Sequence, residues 1–158
     1  MRVLGIDPGT IVSGYGIVDS VGSKMKAVHF GAVRVREGMT FPERLVHIHK
    51  GLLDVIRQYR PEVAAIERLF VGKSMESAMR TGEGRGIAVL TAALENLPVY
   101  EYTPAEVKKA VVGVGGAHKT QVQEMVRILL GLEKIPRPQD AADALAIAIC
   151  HCGRLRFR

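Results

Sequence analysis

The chain has 158 residues, 47% of them hydrophobic, with a formal charge of +6 at pH 7, enough apolar sequence for one buried core and too little for two, so a single domain over 1–158 is expected. No uncharged run reaches the ~18 to 20 apolar residues needed to cross a bilayer and no basic leader precedes an apolar segment, so a cytoplasmic protein without membrane attachment is expected. The positive balance favours a polyanionic partner, and nucleic acid ranks ahead of an anionic lipid surface because no basic amphipathic helix with an aromatic face occurs.

"RVLGID", residues 2–7, and "VSGYGIVD", 12–19, read as strands, and after the turn-rich "SVGSK" the segment "AVHFGAVRVRE", 27–37, reads as a third. Short connections make these an antiparallel meander. "VLGIDPGT" by itself is ambiguous: an Asp ending an apolar strand before Gly and Thr suits either a phosphate-gripping loop or a carboxylate delivered to a metal. At residue 40 the period changes. "TFPERLVHIHKGLLDVIRQY" has Thr40 three before Glu43, a capping-box spacing, and sets Leu45, Ile48, Leu52, Val55, Ile56 and Tyr59 on one helical face. His47 and His49, two apart on that helix, point to different faces and are read as surface or boundary residues rather than co-ligands.

"EVAAIERLF" is a near-continuous apolar strand carrying Glu67, and a helix is expected from about Ser74 to Leu94. Within it "GEGRG", 82–86, lacks the preceding strand of a dinucleotide loop and reads as a site of close helix packing, in the chain or between subunits. "PVYEYTP" is a fifth strand, and "TPAEVKKAVV" starts a helix with Pro in its first turn and a second Thr-to-Glu capping spacing. Helices "TQVQEMVRILLGL", stopped by Gly131, and "QDAADALAIAICH" follow the glycine-rich "VGVGGAHK". The expected fold is α/β, a mixed five-stranded sheet with three antiparallel strands and then parallel crossovers, in the order β-β-β-α-β-α-β, flanked by helices. Cys150 and Cys152 make no disulfide framework, and "CHCG" without a second ligand pair is a poor zinc site, so both thiols are expected buried and reduced.

Four acids carry the chemistry. Asp140 and Asp143 lie three apart on one face at a helix start, and from Ala141 onward that helix is apolar except for Asp143. Asp7 and Glu67 each interrupt an apolar strand near its C-terminal end, where open α/β sheets have their crevices. Clustered acids repel one another unless a cation joins them, and oxygen-only ligation favours Mg2+ or Mn2+. With no Ser/His/Asp or Cys/His arrangement, the expected reaction is water attacking a phosphodiester with metal assistance, two ions serving both oxygens. Setting these four acids aside leaves 22 basic residues against 12 of the 16 acidic ones, a formal +10. Lys108, Lys109 and Lys119 are candidates to grip a phosphate backbone, Lys119 first because it stands where a glycine-rich loop meets a helix N-terminus. Phe70, three beyond Glu67, reads either as an edge of the core, the commoner use of such an aromatic, or as a surface on which an unpaired base stacks.

Taken together, "GIDPGT..SGYG", "AAIERLF", "SAMRTGEGRGIA", "VKKAVVG.GGAHKTQVQ.MV" and "DAADALAIAICH" resemble the RuvC family of Holliday-junction resolvases in content and order, from about Val3 to Cys152. The resemblance implies a ribonuclease H-like fold and a catalytic, metal-binding set of Asp7, Glu67, Asp140 and Asp143. It also implies DNA-contacting roles for Phe70, Lys108 and Lys119. It further implies a homodimer that binds four-way junction DNA, nicks two strands symmetrically during recombination and repair, and works with the RuvA and RuvB branch-migration complex. Arg68, a cation beside Glu67, departs from the family pattern. The rival class suggested by "DPGT", actin-like and sugar kinases, needs a second similar domain and a second phosphate loop, and the chain has no repeat to supply them.

Overall fold

The structure, a computed structural model, describes residues 1–68 and 74–155. Strands β1 (Arg2–Asp7), β2 (Val12–Val21) and β3 (Lys24–Arg34) open the chain, and α1 (Phe41–Tyr59), β4 (Val63–Glu67), α2 (Met75–Leu94), β5 (Val99–Tyr102), α3 (Pro104–Val112), α4 (Lys119–Leu129) and α5 (Gln139–Leu155) follow. The described strands form one sheet in the order β3-β2-β1-β4-β5, antiparallel through β1, β2 and β3 and parallel from β1 to β4 to β5. Both capping boxes form: Thr40 with Glu43 starts α1, and Thr103 with Glu106 starts α3.

The third strand differs from its reading, running 24–34 rather than 27–37. Gly22, at φ +57°, makes so tight a turn that Val21 already pairs with Lys24. On an edge strand the alternating lysines cost nothing, which hides the strand's start from a hydrophobic pattern.

Period-2 alternation assigns the faces. On β1 and β4, Leu4, Ile6 and Ile66 meet Ile48, Leu52, Val55 and Ile56 of α1 and Ala88 of α2. Val3, Val63 and Ala65 belong to the opposite core with α3, α4 and α5. Asp7 and Glu67 continue this second row, so both acids stand on the face that α5 covers. Gly5, Gly14 and Gly16 let α5 lie almost on the sheet backbone: a Cβ on Gly5 would overlap the Ala144 carbonyl, one on Gly14 the Asp140 carbonyl, and one on Gly16 the Leu145 side chain.

Gly84 of "GEGRG" also packs closely, within the chain: a Cβ there would collide with the backbone of Gly9. His47 and His49 do diverge, His47 Nε2 meeting the Arg34 carbonyl at 2.9 Å and His49 Nδ1 meeting Thr91 Oγ1 at 2.8 Å. Cys150 and Cys152 are buried and free of disulfide, and burial pushes the Cys150 thiol up to about 11. No described helix is long and apolar enough to cross a membrane.

Candidate active site

Two parallel strands deliver the first pair of acids. β1 and β4 pair in register from Val3↔Val63 to Ile6↔Ile66, so Asp7 and Glu67 end neighbouring strands about 4.8 Å apart. The third and fourth acids come from the first turns of α5, and Gly14 brings them in: it pairs with Asp7 on the sheet and presses against Asp140 on the helix. From Ala141 to Cys152 the helix is buried except at half-buried Asp143. A carboxylate in that position needs a cation or donors.

The electrostatics register the crowding. Asp7 is pushed up to about 8, first by burial and then by Asp143, Glu67 and Asp140. Glu67 is raised by burial and by Asp143, and Asp143 by burial, with Asp140 adding to it. One cation opposes all three shifts: Lys119, whose Nζ donates to Asp143 Oδ2 at 3.3 Å. Lys119 is the first residue of α4. A cation is disfavoured at that positive end of a helix, and Asp143 offsets the cost.

Beside the acids opens a cleft of about 470 Å³, lined by Glu67 and Asp143, by Lys108 and Lys119, and by Pro104, Val107, Val122, Ala146 and Ile147. Of the lysines read from the sequence, Lys108 and Lys119 line it, while Lys109 is exposed and outside its wall. Lys108 also opposes the upward shift of Glu67. Its helix is tied down at the start, where Thr103 N donates to Glu106 Oε2 at 2.8 Å and the Arg154 guanidinium pairs with Glu106. Phe70 falls in 69–73, outside the described residues.

Arg68 does not act on its neighbour. The charges that shift Glu67 are Asp143, Lys119 and Lys108, while the Arg68 guanidinium turns to Glu101, 3.8 Å away, which Arg85 also pairs. Sequence reasoning missed Gly14, the Glu106–Arg154 tie and the Lys119–Asp143 pair. The first had a signal in the alternating glycines of "SGYGIV"; the other two join residues too distant in sequence to be seen there.

Fold and site define a class: an α/β protein of ribonuclease H-like architecture with a carboxylate cluster at the ends of its two central strands, walled by lysines. The family described as crossover junction endodeoxyribonuclease RuvC matches residues 3–151, and this chain belongs to it. Curated relatives of that name are 52% identical over 151 residues in Chloroflexus aggregans and 51% over 152 in Caldanaerobacter subterraneus, each alignment covering 96% of this chain and 92% of the relative. A solved structure of T. thermophilus RuvC in complex with a Holliday junction substrate superposes with a TM-score of 0.93 at 39% identity, over 99% of this chain and 96% of that one. The yeast mitochondrial Holliday junction resolvase Ydc2, at 17% identity and a TM-score of 0.66, shares the fold.

Proposed function

We propose that this chain is a single-domain crossover junction endodeoxyribonuclease that resolves four-way DNA junctions by symmetric, metal-dependent nicking of two strands during recombination and repair. The observation that carries the reading is the meeting of Asp7, Glu67, Asp140 and Asp143 on one face of the sheet, beside a cleft walled by Lys108 and Lys119. Relatives at about half identity carry the same name over nearly the whole chain.

Among the described residues, no three His, Cys, Asp or Glu side chains are gathered tightly enough to hold an ion as they stand, so the carboxylates would close around one. The donor set fits Mg2+, with Mn2+ able to substitute: it is all oxygen, and an Asp7 carboxyl pushed up to about 8 is one that a divalent cation would bring back down. Asp7, Glu67, Asp140 and Asp143 would hold the metal, as two ions. When bound, such ions lower the pKa of water and neutralise charge building on the phosphate. The chain's own groups do the rest. Lys108 and Lys119, in the same cleft as the acids, face the phosphate, the apolar lining of Val107, Val122 and Ile147 limits water, and Phe70 takes the unpaired base.

A homodimer suits a two-fold junction, because two copies of one site make paired cuts. Met79, Glu83, Gly86, Leu90 and Leu94 form an exposed row along α2, with open space in front of Gly86, a face on which a second copy would pack. RuvA and RuvB remain the expected partners, and the cytoplasm the expected location.

The test is cleavage of a labelled four-way junction with a mobile core beside linear duplex of the same sequence, with Mg2+ or EDTA. Paired nicks confined to the junction, abolished by EDTA and by Asp7→Asn, are expected. Tight binding without nicking on several core sequences would leave a junction-binding protein without activity.

A further inference from the structure

One face of α5 joins the acid cluster to the helix that carries Lys108. Asp143, Ala146, Ile147, Cys150 and Arg154 follow one another at helical spacing, so they form a single stripe about three turns long. The first three line the cleft. The last two hold α3: Cys150 Sγ donates to the Glu106 carbonyl at 3.7 Å, and the Arg154 guanidinium pairs with the Glu106 carboxylate. Glu106 also closes the capping box that starts α3, its Oε2 accepting from Thr103 N at 2.8 Å and from Thr103 Oγ1 at 3.0 Å. Its two oxygens are thus divided between the cap and Arg154, which takes Oε1.

The same guanidinium reaches β5. It lies over the Tyr102 ring, 5.1 Å from its centroid, and Tyr102 is the register partner of Glu67, on the same face of the sheet. Tyr102 is buried, and its hydroxyl meets His151 Nδ1 at 2.7 Å, so the ring under Arg154 is itself fixed to α5. Arg154 therefore touches both the neighbour of Glu67 and the first turn of the helix that carries Lys108. α3 needs such a tie. It has nine residues, with Val107 and Val111 buried, and apolar packing is non-directional. Burial holds α3 against α5 without fixing where along α5 it stops. Arg154 and Glu106 are both more than a third exposed, and a pair that open adds little to stability. What it supplies is position.

We propose that Arg154, acting through Glu106, is a positioning residue for the nicking reaction: it sets where α3 sits along α5, and so where Lys108 stands against Glu67 and Asp143. This rests on the nuclease reading above and adds a part to its machinery. Arg154 is outside the lining of the cleft, so its effect on the reaction passes through Lys108 and not through a contact of its own with the reacting phosphate. The stripe on α5 works as a ruler, with the acid at one end and the clamp on α3 at the other.

The test measures single-turnover nicking, junction affinity and melting separately for wild type, Arg154→Gln, Arg154→Lys, Glu106→Gln and Lys108→Met, and for Arg154→Gln combined with Lys108→Met. Glu106→Gln keeps a residue suited to the capping box while removing the charge that Arg154 pairs. Arg154→Gln and Glu106→Gln should each slow nicking about ten-fold, melt within ~3 °C of wild type and bind the junction within about two-fold of it. Arg154→Lys, which keeps the charge, should recover most of the rate. In the Lys108→Met background Arg154→Gln should cost almost nothing further, because both changes remove the same contribution. A full, additive loss in that background would overturn the proposal. So would a weaker affinity with a salt slope lower by about one in Arg154→Gln but not in Glu106→Gln, which would make Arg154 a phosphate contact. A melting drop of ~10 °C or more in both glutamine variants would overturn it as well, by making the pair a structural strut. If wild type does not nick the junction, the nuclease reading has failed and the positioning role falls with it; normal wild-type nicking with glutamine variants equally fast sinks the positioning role alone.

Discussion

Asp7→Asn should stabilise the metal-free protein, by an amount that depends on pH in a specified way. Asp7 moves from an ordinary 3.8 to about 8 on folding. Between those values the folded chain keeps the proton and the unfolded chain loses it, so wild-type stability falls as pH rises through the window and levels off above about 8. Asparagine has no proton to lose and no such slope. Four units at 1.36 kcal/mol each set a ceiling of about 5 kcal/mol. Because the shift is shared among four coupled acids, about 2 to 4 kcal/mol is the working figure. For a chain of this size that corresponds to a melting difference of roughly 5 to 15 °C. Thermal melts of both proteins in EDTA from pH 4 to 9 should show curves that nearly coincide at pH 4 and separate steadily up to pH 8. Adding Mn2+ at pH 8 should raise wild type more than the variant, since ligation stabilises only the state that binds. A gap equal at pH 5 and pH 8.5, or an asparagine variant less stable throughout, would show that Asp7 is an ordinary, well-satisfied carboxylate and would remove the electrostatic case for a cation there.

Gly14→Ala should cost about 1 to 3 kcal/mol in urea melts, because its methyl must displace the Asp140 backbone. Nicking should fall about a hundred-fold while junction affinity holds, since ~1 Å of misplacement is enough for that. Lys119→Met should lower single-turnover nicking about a hundred-fold or more. It should also move the rising limb of the pH profile upward, because Lys119 holds down Asp7, Glu67 and Asp143. A thiol reagent at pH 8 should label neither Cys150 nor Cys152 in the native protein and both after unfolding, since both are buried and the Cys150 thiol sits near 11.

The chain order of strands and helices was legible because their signals are local. Thr40 and Thr103 announce α1 and α3 through residues three positions away, and Ile48, Leu52 and Val55 repeat at helical spacing. The start of β3 was not legible, because Lys24 and Lys26 sit on an edge strand whose outer side asks for no apolar residue. The four acids stood out by contrast: Asp7, Glu67 and Asp143 each interrupt a stretch that is otherwise apolar, and Asp140 lies three before Asp143 on the same helical face. What sequence cannot carry is the company a residue keeps across the fold. Arg68 is next to Glu67 in the chain, yet strand alternation turns it to Glu101 on the other face of the sheet. Lys119, 52 positions beyond Glu67, acts on Glu67 instead.

That contrast accounts for how the site is held. A cluster of buried acids pushes its own strands and helix apart, so the scaffold must hold them by forces the acids do not supply. Gly5, Gly14 and Gly16 let α5 lie on β1 and β2 with backbone in contact, and the helix buries nearly every side chain from Ala141 to Cys152. The hydrophobic contact on that face is what keeps Asp140 and Asp143 beside Asp7 against their repulsion. Lys119 relieves part of the charge but is itself half-exposed, at 54%, and ends a glycine-rich loop, so it can leave Asp143 without disturbing the core. On the proposed nuclease reading, the arrangement gives the acids a rigid frame and a removable cation, which is what a centre would need if it is to stand without metal, accept it, and then free a lysine for the phosphate.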